Sequence, residues 1–178
     1  MSSRLVRGEA AFCLAANRWG HRAWVRAYFS AVSRLGDGVF WYALMAVIVL
    51  WDGYNGLSAS AHMAATGAAA LLLYRALKRW TRRPRPFASD RRIRPLVRPL
   101  DEFSFPSGHT LHAVAFSLVA LSHYPQLAAL LVPFTASVGV SRVVLGLHYP
   151  SDVLAATAIA CGIGGMSLWL GGMGWPFA

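Results

Sequence analysis

Three short clusters in this 178-residue chain carry the side chains that can do chemistry. Six residues separate Lys78 from Arg85-Pro86, Pro106-Ser107-Gly108-His109 follows, and five residues separate Ser141-Arg142 from His148, with three more between His148 and Asp152. Together they supply three fixed cations, two histidines, a Ser-Gly helix start and one carboxylate. A dianionic phosphate needs fixed positive charge, and the planar fork of arginine suits its oxygens. A carboxylate four residues beyond a histidine can accept from one imidazole nitrogen, which fixes the tautomer and frees the other nitrogen to attack. Phosphoryl transfer through a phosphohistidine uses all of these parts, with fixed cations in the place of a metal; no metal or other cofactor is expected.

Each cluster also has a plainer explanation. Between Arg75 and Arg98 the chain holds ten Lys or Arg residues, and such a stretch can serve only as a basic collar beside anionic lipid. That explanation is preferred here for most of these arginines, but not for Lys78 and Arg85. Pro84 and Pro86 end any helix that starts before them and stiffen the backbone of Arg85. Ser107 is a good N-cap, Gly108 lets a ligand approach the backbone, and unpaired first-turn amides point at an anion. Gly146 can terminate one helix and Pro150 can open the next, with His148 just ahead of that first turn and Asp152 inside it. A structural Arg142–Asp152 pair is the plainer account of the third cluster.

In order and spacing, these three motifs resemble the pattern of the type 2 phosphatidic acid phosphatases, also called lipid phosphate phosphatases. The resemblance runs from Lys78 to Asp152. It implies that His148 is the nucleophile, that Asp152 orients it, and that His109 protonates the leaving oxygen and then activates water. It further implies that Lys78, Arg85, Ser107, Gly108 and Arg142 hold the phosphate. The expected substrate is a lipid-linked phosphate monoester or pyrophosphate. Polyprenyl pyrophosphate, phosphatidylglycerol phosphate and phosphatidic acid all present that headgroup. Vanadate-dependent haloperoxidases share the motifs but resemble soluble helical proteins. A non-catalytic binder or carrier of anionic lipid would need the basic collar and have no use for the His148–Asp152 spacing.

The elements that must position these residues read as membrane helices. The composition is 56% hydrophobic and only 13% charged, and long uncharged runs alternate with compact basic ones. The net charge of +10 therefore points to anionic lipid headgroups rather than nucleic acid. Apolar runs at 39–51, 59–77, 107–123, 127–147 and 153–170 predict an all-α polytopic bundle of about five transmembrane helices in one domain, residues 1–178. Residues 1–36 predict an amphipathic helix lying in the interface, with Arg18, Arg22 and Arg26 on one stripe and Trp24, Tyr28, Ala31 and Leu35 roughly opposite. If that helix crosses, the count is six, at a cost of about 2.5–3.5 kcal/mol for each arginine near mid-depth. With five spans, the basic loop 78–105 and the turn before Asp152 fall on one face of a bacterial inner membrane. The charge bias places that face in the cytoplasm, whereas the family resemblance implies the periplasm. Asp52–Gly56 and Tyr124–Gln126 read as turns, Asp101 and Glu102 as countercharges in the basic loop, and Cys13 and Cys161 as unpaired apolar side chains. His112 reads as an interior histidine, His21, His62 and His123 as having no partner motif, and Trp24, Trp51, Trp169 and Trp175 as interface anchors.

Overall fold

In the computed structural model, which describes residues 3–172, the regular elements are all helices: α1 (Ser3–Gly20), α2 (Ala23–Arg34), α3 (Phe40–Thr81), α4 (Pro86–Ser89), α5 (Gly108–His123), α6 (Ala128–Val144) and α7 (Pro150–Leu170). Trp175 lies outside the described residues. A π-helical turn, Leu35–Val39, joins α2 to α3, and a 3₁₀ turn, Pro125–Leu127, leads into α6.

All five apolar runs are helical, but the first two belong to one element. Residues 40–81 stay helical except at Gly53, whose φ of 52° and ψ of −118° fold α3 back on itself. The expected Asp52–Gly56 turn is thus a single-residue reversal. The two arms lie so close that a Cβ on Gly56 would stand 2.2 Å from the Ile48 carbonyl oxygen, and the Ser60 hydroxyl donates to the Met45 carbonyl at 3.2 Å. Gly56→Ala must push two backbones apart, at a cost of about 1–3 kcal/mol, the usual range for overpacking. Gly162, with nothing within 4 Å of its Cβ position, is the control. Thermal unfolding in detergent should show a clear drop for Gly56→Ala and none for Gly162→Ala.

At the centre stands α5, which has no exposed residue and packs against α3, α6 and α7. Small residues permit that closeness, because in lipid helix association depends on close packing. Ala156, Ala160 and Gly164 form the buried stripe of α7, and Gly67 of α3 lies under the Phe116 ring. Large apolar side chains such as Leu50, Leu72, Leu154 and Leu170 face outward instead. Three helical stretches (23–89, 125–144 and 150–170) are long and apolar enough to cross a bilayer.

The N-terminal segment departs from the expected single helix. It breaks at His21–Arg22, where Arg22 is extended (φ −65°, ψ 131°), because Gly20 is pressed against the Val144 carbonyl and the Leu96 side chain. The break lets two separate faces reach α6: Cys13, Asn17 and Gly20 from α1, and Val25, Phe29 and Val32 from α2. Arg18, Arg22, Arg26 and the Trp24–Leu35 stripe all stay exposed.

Candidate active site

The three clusters meet at one end of the bundle because helix ends bring them there. Lys78 sits in the last turn of α3 and Arg142 in the last turn of α6; Arg85 and Ser107 precede α4 and α5. Gly146, with φ of 75°, ends α6, and Pro150 opens α7 with Asp152 in its first turn. The Ser107 N–H donates to the Asp152 carbonyl at 3.3 Å, tying the starts of α5 and α7 together.

His148 is 2% exposed, and its contacts define its tautomer. Nδ1 lies 2.6 Å from the Ser104 carbonyl oxygen, an acceptor only, so Nδ1 carries the proton. Nε2 then presents a lone pair, 3.3 Å from Nη1 of Arg85. Burial, reinforced by the charges of Arg142 and Arg85, pushes the imidazole down to about 3 against the opposing pull of Asp152. His148 is therefore neutral across the physiological range.

Asp152 was expected to accept directly from His148. It stands 3.7 Å from Nδ1, beyond hydrogen-bond range, and acts mainly through neighbours. Its carboxylate, fully buried, accepts from the Ser104 hydroxyl at 2.7 Å, the Tyr149 N–H at 2.8 Å and Arg83 Nη1 at 2.7 Å. Arg83, assigned by sequence to the collar, is the cation paired with Asp152, and it also holds Glu9 of α1 at 2.8 Å. The alternative Arg142–Asp152 pair does not form: Arg142 donates to Ser33 Oγ at 2.5 Å, and its buried Nε has no partner.

A cavity of about 330 Å³ is lined by Arg85, Gly108, His109, Arg142 and His148, together with Tyr74 and Asp101. Asp101 pairs with both Lys78 and Arg85 and accepts from the Tyr74 hydroxyl. Burial pushes its carboxyl up, but the hydrogen bonds from Lys78 and Tyr74 outweigh that and hold it at about 2. Lys78 thus reaches the cavity through Asp101. His109 faces Asp37 at ion-pair range; the carboxylate sits in the turn between α2 and α3. Ser107 occupies the N-cap position, yet its hydroxyl bonds Thr110 Oγ1 at 2.9 Å instead of capping α5. Gly108 is small for a reason beyond ligand access, since a Cβ there would meet the Tyr74 ring at 2.7 Å.

The PAP2 superfamily model matches residues 59–174, about two thirds of the chain and all three clusters. The chain belongs to the PAP2 superfamily. Phosphatidylglycerophosphatase B of Bacillus subtilis is 32% identical over 156 residues, a match covering 76% of this chain and 70% of that protein. Phosphatidylglycerophosphatase B of Escherichia coli is 39% identical over 74 residues, 38% of this chain and only 29% of the longer E. coli protein. The crystal structure of a transmembrane PAP2-type phosphatidylglycerolphosphate phosphatase from B. subtilis superposes with a TM-score of 0.76 at 24% identity, covering 96% of this chain and 88% of that one. With its outward-facing apolar helices, this PAP2 chain is a multi-pass membrane protein. At this candidate site, sequence reasoning missed Ser104, Asp37 and Arg83. Ser104 and Arg83 lie inside the basic loop without a distinguishing signal, whereas Asp37 stands out in the sequence as a lone carboxylate between two glycines.

At the opposite end, His62 and His123, expected to stand alone, face each other at 3.3 Å, and His62 also contacts Ser167 at 2.6 Å.

Proposed function

We propose that this protein hydrolyses a phosphate monoester or pyrophosphate carried on a membrane lipid, through a phosphohistidine on His148. What supports this most is the neutral, Nδ1-protonated His148, whose Nε2 lone pair faces a cavity lined by Arg85, Arg142 and His109. The Nε2 lone pair attacks phosphorus while the bond from phosphorus to the leaving oxygen breaks, and His109 gives that oxygen its proton. In the second half, His109 takes a proton from water, the water oxygen attacks phosphorus, and the N–P bond breaks to release inorganic phosphate and restore His148. Arg85, Arg142 and the Gly108 amide stabilise the three equatorial oxygens as charge redistributes. Lys78 joins them once the substrate phosphate displaces Asp101, exchanging one carboxylate charge for two phosphate charges. Ser107 and Asp152 hold the cavity wall from behind.

The test is phosphate release by purified protein from polyprenyl pyrophosphates, phosphatidylglycerol phosphate and phosphatidic acid in excess EDTA, followed by titration with orthovanadate. Turnover should survive EDTA and fall with vanadate, whose five-coordinate form resembles the transferring group; transition-state analogues bind from about 10² to 10⁸-fold more tightly than substrates. Loss in EDTA with recovery on adding magnesium would overturn the mechanism. Phosphate release from none of the lipids would overturn the function.

A further inference from the structure

Beside the catalytic cavity lies a second one of about 480 Å³, between α2 and the loop carrying Leu96 to Leu100. The two share the side chains of Asp37, Leu100, His109 and Arg142. The second cavity does not touch His148. Its rim instead carries Arg26 and Arg34 from α2 and Arg98 from the loop. All three are exposed, and among the described residues none pairs with a carboxylate. The spacing of α2 builds this face: Arg26, Ser30 and Arg34 recur every four residues, while Ala23 and Ala27 leave the space open. Arg142 contributes a second, independent sign of an anion. It is 3% exposed, lines both cavities, and its Nε has no hydrogen-bond partner. Asp37, the carboxylate on this lining, is already paired with His109.

We infer that the second cavity is a subsite for another phosphorus group on the leaving side of the substrate, held by Arg26, Arg34 and Arg98, so that the preferred substrates carry two phosphorus groups rather than one. This inference rests on the hydrolase reading and narrows it. His109 stands where the two cavities join, which is where the bridging oxygen must be protonated as its bond to the transferring phosphorus breaks. The leaving group then keeps its own phosphate among the three arginines, and its chain departs past Leu96 and Leu100. Phosphatidic acid, whose leaving group is an uncharged diacylglycerol, has nothing to place there.

The experiment compares kcat/KM of the full-length protein, in neutral detergent, on a polyprenyl diphosphate and on phosphatidylglycerol phosphate with that on phosphatidic acid. The double variant Arg26→Gln with Arg98→Gln should lower at least one two-phosphorus to phosphatidic acid ratio about tenfold, as expected for losing charge-assisted contacts. Arg22→Gln, which removes a charge from the same end without lining the cavity, should leave the ratios at their wild-type values. Unchanged ratios in the double variant, or an equal fall in Arg22→Gln, would overturn the subsite in favour of general attraction to anionic surfaces. A binding arm separates this failure from failure of the hydrolase reading. By calorimetry, wild-type protein should bind methylenediphosphonate about tenfold more tightly than methylphosphonate, an advantage the double variant loses. Equal binding of the two would overturn the subsite even in an active enzyme. Tighter diphosphonate binding by a protein that releases no phosphate would uphold the subsite and refute hydrolysis.

Discussion

His148→Ala is expected to abolish phosphate release from every lipid substrate, a loss of at least about 10³-fold in kcat, because no other group can take over the covalent step. Among the described residues, His148 is the only imidazole whose free nitrogen faces the cavity beside Arg85 while its other nitrogen is fixed by a carbonyl. The substitution empties a buried site and takes a partner from Arg85, so folding needs its own measurement. His148→Gln preserves more of the volume, and elution as a monodisperse species with an unchanged helical spectrum would show that inactivity is chemical. Rapid quenching of the wild-type enzyme during turnover should trap acid-labile, base-stable phosphate on protein, absent from both variants. Turnover near the wild-type rate in either folded variant would remove His148 from the mechanism.

Asp152→Asn should cost less, about 10²–10³ in kcat, and the reason lies in how the imidazole is held. Where a carboxylate is the sole acceptor for a catalytic histidine, the amide leaves the wrong tautomer and costs about 10⁴. Here the Ser104 carbonyl accepts from Nδ1 at 2.6 Å, and Asp152 stands behind it at 3.7 Å from that nitrogen. The tautomer therefore survives the substitution. What is lost is the negative charge that steadies the histidine as phosphorus bonds to it, and the anchor for Ser104 and Arg83. A split between kcat and KM is the decisive readout: kcat should fall while KM stays within about threefold, the signature of an interaction made mainly in the transition state. A loss as complete as that of His148→Ala would mean that Ser104 does not hold the tautomer. Arg83 keeps Glu9 as a partner, so the variant should fold with a modest loss of stability.

Local chemistry made much of this protein legible in its sequence. The apolar runs, the proline after α3, Gly146 with its positive φ and Pro150 at the first turn of α7 all act within a few residues, and each appears where its chemistry places it. The same holds for the spacing of Lys78, Arg85, His109, Arg142, His148 and Asp152, which set the chemical inventory before any fold was known. Asp101 as a countercharge was legible too, though not which cations it would pair with.

Partner choice was decided only by the tertiary structure. Asp37 meets His109 across 72 positions of sequence, Ser33 meets Arg142 across 109, and Glu9 joins Arg83 and Ser151 across 74 and 142. In a loop with so many arginines, nothing local distinguishes Arg83, which reaches Asp152, from Arg91, a collar residue. The break at His21–Arg22 likewise depends on Val144 and Leu96 pressing against Gly20, a contact that exists only after α6 is in place. Short-range preferences of the backbone fix where helices start and stop. Which buried cation meets which buried anion follows from the cost of leaving a charge without a partner away from water, a cost that acts only once the bundle has closed and that Arg142 alone of the site's arginines still carries at its Nε.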